Sequence, residues 1–133
     1  MVENTITPLE DIEIQTYYGL ACSSLESESF FYNYVDDNGN YINIAPSNSE
    51  SKDKSCRTII EYNDKNMIIV TMNDDGLGDM SKNDTNYSAF AREYGGRVSK
   101  AYFNLINHND KWETLEKDTN YYFSGSYQFL KNN

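Results

Sequence analysis

Ile12-Glu-Ile-Gln-Thr-Tyr-Tyr-Gly-Leu-Ala-Cys22 admits two readings, and the fold class turns on which one holds. Just upstream, Thr7-Pro8-Leu9-Glu10 has the form of a capping box with proline at the first helical position. Ile14, Tyr17, Tyr18, Ala21 and Leu25 would then make a helical stripe. In the other reading Ile12, Ile14, Thr16, Tyr18, Leu20 and Cys22 alternate with Glu13, Gln15, Tyr17 and Gly19, the period of a strand. β-branched and aromatic residues dominate the segment, and such side chains lose rotamer freedom in a helix but pack well on a pleated surface. Strand is therefore the reading adopted. It makes the chain mainly β, an antiparallel sandwich or barrel; a helix here would instead give α+β, a helix packed on an antiparallel sheet.

The segments that follow agree with strand. Ser29-Phe-Phe-Tyr-Asn-Tyr-Val35 and Tyr41-Ile-Asn-Ile-Ala45 flank Asp36-Asp-Asn-Gly-Asn40, where Asn38-Gly39 tolerates the positive φ of a tight hairpin turn. A second hairpin joins Cys56–Tyr62 to Met67–Met72 through Asn63-Asp-Lys-Asn66. Its return run, Met-Ile-Ile-Val-Thr-Met, has no alternation, as expected of a central strand covered on both faces. Near the end, Tyr121, Phe123, Gly125, Tyr127 and Phe129 alternate with Tyr122, Ser124, Ser126 and Gln128, which predicts a strand with the first set buried and the second exposed. Gly125 is a candidate bulge or bend. Tyr17 with Glu13 and Gln15 is expected to form a similar polar, aromatic face on the first strand. Asp84 or Thr85 is placed to cap a short helix over residues 85–94, stopped by Gly95-Gly96. Residues 97–106 fit strand or helix. The count comes to about six to eight short strands and one helix. The polar tract Ser47–Ser55 reads as a mobile loop inside a single domain spanning 1–133.

Composition narrows the function. Among 133 residues there are 21 acidic against 11 basic, a net charge of −10, with 12 Tyr and 17 Asn. Asn-, Tyr- and Ile-rich chains are commonly Lys-rich too; eight Lys here leave an uncompensated negative field. Such a field repels nucleic acid and anionic membrane and speeds encounter with a basic partner. No apolar stretch approaches the length of a membrane span. Residues 1–8 carry no basic n-region or apolar core of a secretory leader, so a cytoplasmic setting is expected. Cys22 and Cys56 read as buried thiols or as a single disulfide.

Catalytic chemistry has little to work with. His108 is the sole histidine and sits in a turn-like Asn107-His-Asn109 context, so any histidine-dependent nucleophile would depend on it alone. Asn73-Asp-Asp-Gly-Leu-Gly-Asp79 supplies hard oxygens for calcium but not the spacing of an EF-hand loop. The zinc ligand set is too small. No cofactor, metal or catalytic residue is expected. The expected function is a non-enzymatic acidic binding protein, an inhibitor, immunity or anti-defence type that occupies a basic surface of a partner, such as a nucleic-acid-handling enzyme. Asp36, Asp37, Asp74, Asp75 and Asp79, in turn-like stretches, are the candidate contacts, with Tyr122 as an aromatic anchor. The alternative is a carbohydrate-binding β-sandwich, in which Trp112 and tyrosines stack on sugar faces while Asn, Asp and Gln bond hydroxyls.

Overall fold

The computed structural model describes residues 1–25, 31–35, 38–44, 51–53, 57–73, 89–94, 98–107 and 112–131. The deciding segment is extended throughout: after β1 (Val2–Ile6) come β2 (Ile12–Ile14) and β3 (Thr16–Leu25), and no helix occurs among the described residues. Then follow β4 (Phe31–Val35), β5 (Tyr41–Ile44), β6 (Ser51–Asp53), β7 (Thr58–Tyr62), β8 (Asn66–Met72), β9 (Ala89–Tyr94), β10 (Val98–Asn107), β11 (Glu113–Leu115) and β12 (Tyr121–Lys131). A six-stranded sheet runs β1-β12-β8-β7-β4-β5, a four-stranded sheet runs β3-β10-β9-β6, and β2 pairs with β11 in a small ribbon. All pairings are antiparallel.

Both expected hairpins form. Val35 faces Tyr41 across the β4–β5 turn, where Gly39 has φ 79°, a value that costs glycine nothing. In the β7–β8 turn the buried Asn63 side-chain oxygen accepts from the amides of Lys65 (2.9 Å) and Asn66 (2.8 Å), holding the chain reversal from within. β8 lies inside the large sheet, between β12 and β7, as its unbroken apolar run predicts.

The two larger sheets face each other as a sandwich. Tyr32, Tyr34, Ile59, Val70, Met72 and Phe123 of the large sheet pack against Leu20, Cys22, Ala101, Phe103, Leu105 and Ile106 of the small one. Cys22 is a free, buried thiol, so it is not half of a disulfide. Burial pushes its titration far above the ordinary thiol range, and the charge and hydrogen bonding of wholly buried Glu61 push it further. Tyr127 ties the sheets together by a polar contact. Its hydroxyl accepts from the Ala21 amide (3.2 Å) and donates to the Ala21 carbonyl (2.9 Å), occupying backbone groups on the outer edge of β3.

Four sequence expectations are corrected. Ala89–Tyr94 is strand, not the second half of a short helix. β10 pairs along its whole length on one side and β6 pairs on the other, and this ladder outweighs weak local helix propensity. Ser51–Asp53, expected as loop, is the edge strand β6; the rest of that polar tract lies outside the described residues. The bulge expected at Gly125 does not form: the β1 ladder ends and the β8 ladder begins at this residue, and neither shows a register shift. A Cβ there would collide with the Thr71 carbonyl of the neighbouring strand β8 and lie 2.6 Å from Leu20 of the facing sheet, so the glycine permits close approach of both. Phe129, expected inside, is 74% exposed.

The face assignments of the first strand also change. Between Tyr102↔Ala21 and Asn104↔Tyr18, β3 carries one residue more than β10; between Asn104↔Tyr18 and Ile106↔Tyr17, β10 carries one more than β3. Each insertion reverses side-chain parity. Consequently Leu105 and Ile106 are both buried, and Tyr17 turns inward to meet Phe123 edge-on at 5.9 Å. Tyr18 turns outward against Tyr102, with the Lys100 ammonium 5.4 Å from the Tyr102 ring centre. The polar face expected from Tyr17, Glu13 and Gln15 therefore does not form.

Candidate functional site

The strongest local charge in the described structure lies on the β2–β11 ribbon. Two segments about a hundred residues apart in sequence meet there. Ile12, Glu13 and Ile14 pair with Leu115, Thr114 and Glu113. The flanks are fixed by backbone geometry: the Asp118 amide donates to the Pro8 carbonyl (2.9 Å) and the Lys117 amide to the Asp11 carboxylate (2.8 Å). Asp118 takes φ 58°, a left-handed value that aspartate tolerates better than most residues and that turns the chain back toward β12. Thr7 and Asn120 close the base of the ribbon with a side-chain bond of 2.6 Å. Apolar Leu115, Ile12 and Ile14 face the core, and this burial anchors the ribbon on the sandwich.

Six acidic residues, Glu10, Asp11, Glu13, Glu113, Glu116 and Asp118, sit on this ribbon and its flanks with one basic residue, Lys117. That is five net negative charges of the chain's ten. All but the partly exposed Glu113 are exposed. Lys117 reaches Asp118 only at 3.9 Å, with both side chains largely in water, so it neutralises little of the field. Two large apolar side chains stand exposed in the same stretches, Leu9 (84%) and Trp112 (58%). An indole 58% exposed, next in sequence to Glu113, is unexplained by packing, since Trp normally buries much of its area.

Of the residues expected to make contacts, Asp36, Asp37, Asp74, Asp75 and Asp79 lie outside the described residues, as do His108 and the rest of the 74–79 stretch. Tyr122 is 45% exposed on β12, opposite Thr5. It follows Tyr121, whose hydroxyl accepts from the Glu116 amide (2.8 Å), so it belongs to the end of β12 nearest the ribbon. Its strand neighbour Ser124 is buried and accepts from Asn73 Nδ2 (2.8 Å). The expected polar face thus survives only in part.

Sequence reading overlooked the ribbon. The available signal was the acid density of Glu10-Asp11-Ile12-Glu13 and Glu113-Thr-Leu-Glu-Lys-Asp118, but nothing local announces that the two segments pair. Among the described residues no three His, Cys, Asp or Glu side chains are arranged to hold a metal ion. No helix there is long and apolar enough to cross a membrane. Compared with known protein families, curated proteins and solved structures, the chain matches none.

Proposed function

We propose that this chain is a non-enzymatic acidic binding protein that docks its β2–β11 ribbon on a basic surface of a partner protein, as a small inhibitor, immunity or anti-defence protein would. The observation that carries this reading is the coincidence of a dense acidic field with the exposed indole of Trp112. Long-range attraction accelerates and orients encounter, and a desolvated aromatic anchor supplies much of the holding energy. A nucleic-acid-handling enzyme is the partner class that fits best, because its phosphate-binding groove is already lined with Lys and Arg. Tyr122 extends the contact from the adjoining sheet. A reducing compartment suits a protein whose Cys22 is a free thiol.

Affinity purification from the native cell with the immobilised chain, followed by identification of what is retained, tests the reading. The partner should be basic, its association rate should fall steeply with ionic strength, and Trp112→Ala should speed dissociation about 30-fold or more, as loss of an interface anchor does. Retention of only neutral or acidic proteins, indifferent to salt, would sink it.

One observation favours a second reading. Trp112 and Tyr122 are the kind of exposed rings on which sugars stack. In a carbohydrate-binding sandwich, Trp112→Ala would abolish glycan-array binding, whereas a blank array with the wild-type chain removes that reading.

A further inference from the structure

β12 is eleven residues long, but β1 covers only its first half. Val2 faces Gly125 and Ile6 faces Tyr121; on that side no described strand pairs with Ser126–Lys131. The Asn73 amide donates to the Ser124 carbonyl (3.0 Å), so the even-numbered residues of β12 direct their backbone groups toward β8. By strict alternation in an antiparallel ladder, Tyr127, Phe129 and Lys131 direct theirs to the open side. Phe129 (74%) and Leu130 (49%) stand exposed on the two faces of this half-strand. Charge is distributed just as unevenly. In a chain with 21 acidic residues, neither β8 nor β12 contains one, and none occurs from Thr119 to Asn133.

We propose that the open half of β12 is a self-association edge, at which a second copy of this chain pairs antiparallel to continue the six-stranded sheet across a two-fold axis. An axis through Phe129 keeps the inner faces of both sheets on one side, since the residues brought opposite then share parity. Phe129 meets Phe129 of the second copy, and Tyr127 meets its Lys131, an ammonium facing an aromatic ring. The Tyr127, Phe129 and Lys131 backbone groups exchange hydrogen bonds with their counterparts. The register also answers the objection that two chains of charge −10 repel one another. The acidic ribbon adjoins the Tyr121 end of β12, and eight residues separate Tyr121 from the axis. The two ribbons then lie roughly 50 Å apart, far beyond a Debye length of about 8 Å at physiological salt. The seam itself contains no carboxylate. Such a dimer presents two ribbons facing away from each other.

The test is molar mass by light scattering and sedimentation of the full chain, from about 1 μM to about 1 mM, at low salt and at about 0.15 M salt. The expected result is a doubling of mass with concentration, reached at lower concentration when salt screens the residual repulsion. Phe129→Pro removes one open-side amide and none that β8 uses, and it should leave a monomer. Phe129→Glu, at an exposed side chain, should do the same by placing two carboxylates at the seam. If Phe129→Pro fails to fold, Phe129→Glu decides. Exchange of the Tyr127, Phe129 and Lys131 amides should slow with concentration in the wild type and not in Phe129→Glu. A wild-type chain that stays monomeric across the range overturns the proposal. So does a dimer that persists in Phe129→Glu, or a monomer whose open edge captures an unrelated strand.

Discussion

Cys22 is where a single residue reports most about the interior. Its thiol sits among apolar side chains beside the buried Glu61 carboxyl, and both influences favour the protonated form. The native chain therefore holds this proton at pH values where an unfolded chain, with a thiol near 8.5, releases it. The linkage follows directly: this contribution to stability is complete below about pH 8.5 and declines above it, by at most about 1.4 kcal/mol per pH unit. Half-buried Tyr17, also raised by desolvation, adds a decline of the same sign above about pH 10. Urea unfolding from pH 7 to 10 should show the first decline in the wild type and a flatter curve in Cys22→Ala; equal slopes would contradict the burial argument. The same thiol should resist alkylation in the native state and react on unfolding. Gly125 makes a second residue-scale prediction. Because an added Cβ meets the Thr71 backbone and Leu20 from the facing sheet, Gly125→Ala should destabilise by about 1–3 kcal/mol. A neutral result in denaturant melts would show that the sheets separate there at little cost.

Elements read well where their own side chains determine them. β4, β5, β7 and β8 were legible because alternation, an unbroken apolar run and an Asn-Gly turn are local signals. β9 was not, since Tyr87–Tyr94 has acceptable helix chemistry and only its neighbours β10 and β6 make it strand. Tyr17 and Tyr18 exchanged faces because paired bulges depend on the partner strand, and a single-strand pattern carries no trace of them. The ribbon was hidden for a related reason, its two strands being three residues each and far apart in sequence. At this scale the sheets are joined by Tyr127, whose hydroxyl satisfies both backbone groups of Ala21. Tyr127→Phe should cost about 1–3 kcal/mol, the penalty for stranding partly buried polar groups. Hydrogen exchange at the Ala21 amide should accelerate selectively. If stability falls while that amide stays protected, the clasp is not the cause.

For the molecule as a whole, the acidic ribbon poses an energetic question. Five net negative charges on a small ribbon repel one another, and self-repulsion destabilises the compact state. The ribbon is held by Ile12, Ile14 and Leu115 on its inner side and by backbone bonds at its flanks, neither of which requires Glu10, Glu13 or Glu116. These three carboxylates are exposed, so replacing them with glutamine removes charge without opening a cavity. If they serve recognition, they are retained at some expense in stability. The triple variant Glu10→Gln, Glu13→Gln, Glu116→Gln should then melt roughly 2–5 °C higher than the wild type at low salt. Added salt should raise the wild-type melting temperature and close most of the gap, because screening does to the repulsion what the substitutions do. The same variant should bind the basic partner more slowly. Paired measurement of melting temperature and association rate separates the possibilities. A rise in stability together with a fall in rate supports a ribbon kept for docking. A fall in both would mean that the carboxylates hold the ribbon in place and that their charge is structural.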